Sequence, residues 1–199
     1  MLILVRHGET PWNYEKRIVG HTEIGLNETG HRQAASIAEA LREEKISAIY
    51  CSPLMRARET AAYITSDRAL KTKYVDELKE FDAGELNGLT LEDVRQRYGD
   101  FFDMWMEGEP DMKMPGGESK NDLKHRVLPA MERIIDKHQT ETVVVVSHTM
   151  IILTVLNYAL GMNPVDFRRL RLTVGSITVL NYTGDVATLS KFNDTCHWR

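Results

Sequence analysis

Cysteine is scarce in this sequence: 199 residues contain two, Cys51 and Cys196, far apart and outside any Cys-x-x-Cys spacing. That excludes a disulfide framework and a thiolate metal or redox motif, so two reduced thiols in a reducing compartment are expected. Long hydrophobic runs are also missing. The apolar stretch Leu2 to Val5 is too short for the core of a secretion signal and leads straight into Arg6 and His7, and nothing approaches the roughly 18 apolar residues of a membrane span. A soluble, cytoplasmic protein is expected, with no membrane partner. Positive charge is short as well, with 25 Lys and Arg against 29 Asp and Glu and a net charge of −4. Nucleic-acid binders usually carry a basic surface, so no nucleic-acid partner is expected, and an anionic substrate would need a local basic pocket. His21, His31, His125, His138 and His197 show no metal-ligand spacing, so these histidines read as structural or exposed and no metal is expected.

The remaining composition is that of a globular protein, 42% hydrophobic and 27% charged, at a length that fits one α/β domain spanning 1–199. Leu2-Ile3-Leu4-Val5 and Val143-Val144-Val145-Val146 are continuous apolar runs of the kind that form central strands covered on both faces. Ser47 to Tyr50 is a third, weaker strand. Ser52-Pro53 then opens a helix to about Ser66, proline being suited to a first turn. Asn27 can cap a helix in which Ala34, Ile37, Ala38 and Leu41 recur at helical spacing. Thr90 with Asp93 forms a capping-box pattern, and Ser119 caps a helix lined by Leu123, Val127, Met131, Ile134 and Ile135. Residues 149–160 complete the helices. Val174 to Asn181 and Val186 to Phe192 flank Thr183-Gly184-Asp185 as a terminal hairpin. Strands alternating with helices imply a three-layer α/β/α sandwich with a mainly parallel central sheet.

In such sheets ligands bind beyond the carboxyl ends of the strands. Both strong strands run into a histidine there, through Arg6-His7 and Ser147-His148. Gly8 permits a tight turn, Arg6 offers a planar fork of donors matched to phosphate oxygens, and a neutral imidazole beside it could attack phosphorus. Arg56 follows a third strand end, and His148 opens a helix whose free N–H groups favour an anion. Taken singly these residues read equally well as surface or core. Together, two arginines and two histidines at strand ends make a phosphate pocket in an acidic protein.

The ordered motifs then resemble those of the histidine phosphatase (phosphoglycerate mutase-like) superfamily, small phosphatase branch, across nearly the whole chain. R-H-G-E-T stands at 6–10, followed by Trp12-Asn13, Arg17 and Gly20; Leu26 to Ala34 carries L-x-x-x-G-x-x-Q-A, and Ser52 to Thr60 the arginine motif. Leu78, Glu80, Gly84 and Gly88, then Pro115 to Ser119 and Ser147-His148, complete the set. The resemblance implies His7 as phosphate acceptor, Arg6, Arg56 and His148 as the rest of the catalytic pocket, and Glu80 as proton donor to the leaving oxygen. It implies phosphate or substrate contacts at Thr10, Asn13, Val19, Gly20 and Thr149. His7 should then be neutral and His148 protonated, and Glu80 must hold a proton at working pH. No cofactor is implied, and the partner is a small phosphorylated metabolite.

Two alternatives share the pocket: a cofactor-dependent phosphoglycerate mutase, and a non-catalytic phosphate or phosphoprotein-binding module. Glu80 argues against the latter, since binding alone needs no proton donor. Phe81-Asp82-Ala83 stands where the mutases carry Arg-His-Tyr, so cationic contacts to a second acidic group are missing and Asp82 would repel one. Residues 81–118 form the expected cap insertion, whose segment Phe101 to Met114 reads either as a packed helical cap or as a substrate-contacting lid.

Overall fold

Four of the five residues of strand β1 (Leu2–Arg6) are buried, as expected of a strand covered on both faces. The computed structural model describes residues 1–107, 109–162, 169–184 and 186–198. Along it run β1, α1 (Pro11–Tyr14), α2 (Glu28–Ala40), β2 (Ile46–Cys51), α3 (Met55–Thr65), β3 (Thr72–Tyr74), α4 (Leu91–Tyr98) and α5 (Asp100–Glu107). Then come α6 (Lys120–Lys137), β4 (Thr142–Ser147), α7 (Thr149–Ala159), β5 (Ile177–Thr183) and β6 (Val186–Asp194). The strands form one sheet in the order β3-β2-β4-β1-β5-β6. The β1, β2, β3 and β4 ladders are parallel, while β5 and β6 pair antiparallel, so the sheet is mainly parallel with an antiparallel edge.

Strand alternation divides the core in two. Leu2, Leu4, Val143 and Val145 pack with Val127 and Met131 of α6 and Ile152 and Leu156 of α7, whereas Ile3, Val5, Val144 and Val146 pack with Ile37 of α2 and Ala57, Ala61 and Ile64 of α3. The result is the α/β/α sandwich. Among the described residues, no helix is long and apolar enough to cross a membrane.

Local chemistry moved several boundaries. Leu54 is extended at φ −64° and ψ 139°, so α3 begins at Met55 instead of Pro53. Gly175 at φ +66° turns the chain, and β5 therefore starts at Ile177, not Val174. Strand β3 was not expected, because Thr72-Lys73-Tyr74 is short and polar and is specified by pairing with β2. Of the expected hairpin turn, Asp185 lies outside the described residues, as does Gly108 of the segment 81–118. The capping boxes form at Thr90/Asp93 and, with the same shorter acid, at Ser119/Asp122.

One close approach ties α2 to the loop after β1. A Cβ on Gly30 would lie 2.1 Å from the Glu9 carbonyl oxygen, and one on Gly8 would lie 2.5 Å from the Gly30 carbonyl oxygen. Helix propensity alone favours Gly30→Ala by about 1 kcal/mol, but overpacking against backbone costs about 1 to 3 kcal/mol. The clash should win. Urea unfolding should show Gly30→Ala destabilised, and a stabilised variant would refute this packing.

Candidate active site

The parallel register of β1 and β4 pairs Arg6 with Ser147, so the residues that follow, His7 and His148, emerge side by side with ring centroids 5.0 Å apart. His7 Nδ1 lies 2.7 Å from the Gly8 carbonyl oxygen, and Arg56 Nε donates to His7 Nε2 at 3.2 Å. A carbonyl accepts only and a guanidinium donates only. These partners assign the proton of a neutral ring to Nδ1 and leave a lone pair on Nε2. His148 Nε2 lies 2.7 Å from Ser52 Oγ, which also accepts the Leu54 N–H at 3.3 Å. The Ser52 hydroxyl can donate to Nε2 or accept from it, and Nδ1 of His148 is buried with no partner among the described residues.

Burial, then the charges of Arg56 and Arg6, holds His7 well below its ordinary pKa; burial, then Arg56, His7 and Arg6, does the same to His148. For His148 this direction runs against the expected charge. The protein's own groups disfavour charge on both rings, because each is almost fully buried beside two guanidiniums. Charging His148 would require negative charge from a substrate.

Arg56 is fully buried at 0% exposure, near the start of α3. Besides His7, it donates from its two terminal nitrogens to the carbonyls of Thr22, at 3.0 Å, and Gly20, at 2.8 Å. Arg6 donates to the Leu172 carbonyl, while its Nε is buried without a partner among the described residues. Burial lowers both guanidiniums to about 10, against the raising effect of Glu80, and both remain charged at neutral pH.

Glu80 arrives from a segment without regular structure. Its Oε1 accepts the N–H groups of Phe81 at 2.8 Å and Met150 at 3.2 Å. Arg126 of α6 holds this segment, donating to the carbonyls of Glu77 (2.6 Å), Lys79 (2.9 Å) and Glu80 (2.9 Å). The same guanidinium meets both carboxylate oxygens of Glu118, at 3.0 and 2.7 Å, and Glu118 accepts the Asp82 N–H. His21 Nε2 donates to the Glu80 carbonyl at 2.6 Å. Arg126 and His21 escaped sequence reasoning, which set His21 aside as structural or exposed. No local signal distinguishes Arg126 from the other basic residues of α6.

A cavity of about 260 Å³ brings together Arg6, His7, Asn13, Val19, Gly20, Arg56 and Glu80 of the expected set. Thr10, His148 and Thr149 do not line it. The Thr10 hydroxyl is engaged in the α1 capping box, donating to Asn13 Oδ1 at 3.0 Å and accepting the Asn13 N–H at 3.2 Å. Thr10 thus positions Asn13, whose Nδ2 remains the donor. Asp82 does not face the cavity either: its Oδ1 accepts the Gly84 N–H at 3.0 Å, so it shapes a turn instead of repelling a ligand. The lining also includes Phe81, Phe102, Trp105 and Met114.

The sequence profile of the histidine phosphatase superfamily (branch 1) matches residues 2–195. The chain belongs to this superfamily. Phosphoserine phosphatase 1 of Hydrogenobacter thermophilus is 34% identical over 98% of this chain and 93% of its own length. Phosphoglycerate mutase-like protein 4 of Arabidopsis thaliana is also 34% identical, over 98% of this chain and 86% of its own. A phosphoserine phosphatase mutant from Entamoeba histolytica, solved in complex with phosphoserine, matches with a TM-score of 0.88 at 30% identity, covering 98% of each chain. With such relatives, the chain is a phosphatase of the histidine phosphatase type.

The depressed His7 pKa has a consequence for stability. Below pH 6.5 the unfolded chain binds a proton at this position that the native state does not, so stability present above pH 6.5 is lost as pH falls. Between pH 6 and 5, wild type should lose roughly 1 kcal/mol per pH unit more than His7→Gln in urea titrations. Parallel losses would show that His7 does not titrate abnormally.

Proposed function

We propose that this phosphatase hydrolyses small phosphomonoesters through a phosphohistidine intermediate on His7. The observation that carries the reading is the His7 ring, with Nδ1–H held by the Gly8 carbonyl and the Nε2 lone pair held toward Arg56. In the first step Nε2 attacks phosphorus, the ester P–O bond breaks, and the leaving oxygen takes the proton from Glu80. In the second, water gives a proton to the Glu80 carboxylate and attacks phosphorus, the P–N bond breaks, and free His7 and phosphate result. Arg6, Arg56 and Asn13 Nδ2 hold the transferring oxygens, with His148 behind the His7 ring adding to the field of the pocket, since phosphoryl transfer is mostly positioning and charge stabilisation. Once the phosphate dianion is bound, protonation of His148 becomes favourable. Residues 81–118 serve as the cap over this pocket.

A relative named as mutase-like keeps isomerisation as the competing reading. A mutase must hold a second acidic group, and apart from Arg6, Arg56 and Arg17 the described cavity lining carries no further cation and is largely apolar. Water is the better-served acceptor.

Acid lability and base stability mark a phosphorus–nitrogen bond. Labelled substrate should leave a base-stable label on wild type and none on His7→Ala after quenching; equal labelling would reject the nucleophile. General acid catalysis typically contributes about 10² to 10⁴ in rate, so Glu80→Gln should lose at least about 100-fold on an alkyl phosphate and under about tenfold on 4-nitrophenyl phosphate. Arg126→Met, which frees the segment 77–82, should show the same bias to a smaller degree. Equal losses on both substrates would assign Glu80 a different role.

A further inference from the structure

The cavity has two chemically distinct kinds of lining. Arg6, His7, Arg56 and Glu80 make its charged and titratable lining; Phe81, Phe102, Trp105 and Met114, none more than 9% exposed, belong to its apolar lining. The aromatic wall is a packed unit. Phe81 and Trp105 have ring centroids 5.3 Å apart and tilted, and Phe102 stacks on Trp105 at 6.3 Å with 20° between the planes. Rings locked in this way present a preformed apolar surface.

We infer that the alcohol portion of the substrate is apolar, an alkyl or arylalkyl group, and that the wall of Phe102, Trp105 and Met114 sets this preference. The inference rests on phosphomonoester hydrolysis in this pocket. An amino-acid phosphate would bring an ammonium and a carboxylate against that wall, and each desolvated charge needs a partner. Among the described residues lining the cavity, the cation besides Arg6 and Arg56 is Arg17. Its guanidinium already donates to the Glu15 carboxylate at 2.7 Å and to the Gly88 carbonyl at 2.8 Å. The carboxylate lining the cavity is Glu80, which is committed to proton transfer. The ammonium of such a substrate therefore loses hydration without regaining an equivalent contact, whereas methylenes gain burial.

The test is kcat/KM for phosphate release from ethyl, butyl and hexyl phosphate, phosphoserine and 4-nitrophenyl phosphate. Simple alkanols are leaving groups of similar acidity, so the alkyl series isolates packing. The serine hydroxyl is the more acidic leaving group, so chemistry alone favours phosphoserine. Expected is a rise of about fourfold per methylene until the cavity is filled, equivalent to about 0.8 kcal/mol each, with butyl phosphate at least about tenfold above phosphoserine. Phe102→Ala should lower the increment to below about twofold. Should that variant fail to fold, Leu91→Ser at the half-exposed rim of the same cavity should lower it for hexyl phosphate. A flat alkyl series, or phosphoserine equal to or better than butyl phosphate, overturns the inference and leaves hydrolysis standing. No phosphate release from any substrate, 4-nitrophenyl phosphate included, overturns both.

Discussion

Arg56 is a cation with no exposed surface, and a buried guanidinium is tolerated only where its N–H groups find acceptors. The chain supplies three: the Gly20 and Thr22 carbonyls and His7 Nε2. Satisfying that one charge ties the loop before α2 to the start of α3 and orients the His7 ring. It also helps hold His7 neutral, since a protonated ring would face the guanidinium with no lone pair to accept its hydrogen bond. The orientation of the His7 ring follows from this contact, which adds to burial in lowering its pKa.

A second cation does for Glu80 what Arg56 does for His7. Glu80 sits on a stretch without helix or strand to define its backbone, and Arg126 provides that definition by gathering the Glu77, Lys79 and Glu80 carbonyls. Glu118 neutralises Arg126 and reaches the Asp82 N–H, so the Pro115-Gly116-Gly117-Glu118 turn and the Glu80 segment are locked together. Glycine is needed at this junction, because a Cβ on Gly117 would stand 2.3 Å from the Asp82 carbonyl oxygen and one on Gly84 would stand 2.1 Å from that of Pro115. A side chain at either position would push the acid away from the histidines.

The cavity joins these charged elements to an apolar wall contributed by the segment after Glu80. Phe102 and Trp105 of α5 are core residues and cavity lining at once, since they pack with Phe81 and also face the pocket. Core packing and cavity lining are therefore not exclusive here. Packing fixes the rings, and fixed rings can discriminate between leaving groups.

The sequence by itself determined the buried strands, the helix caps and the histidines at two strand ends, because these depend on side-chain alternation and on partners within a few residues. Leu2 to Val5, Val143 to Val146, Thr90 with Asp93 and Ser119 were legible for that reason. Motif order carried the family. Tertiary structure decided what distant residues do to one another: Arg126 reaching 46 to 49 residues back, His21 holding the Glu80 carbonyl, and Thr10 serving as a cap that positions Asn13. It also sets the direction of the His148 pKa, since desolvation and the field of two guanidiniums exist only once the chain has closed around them.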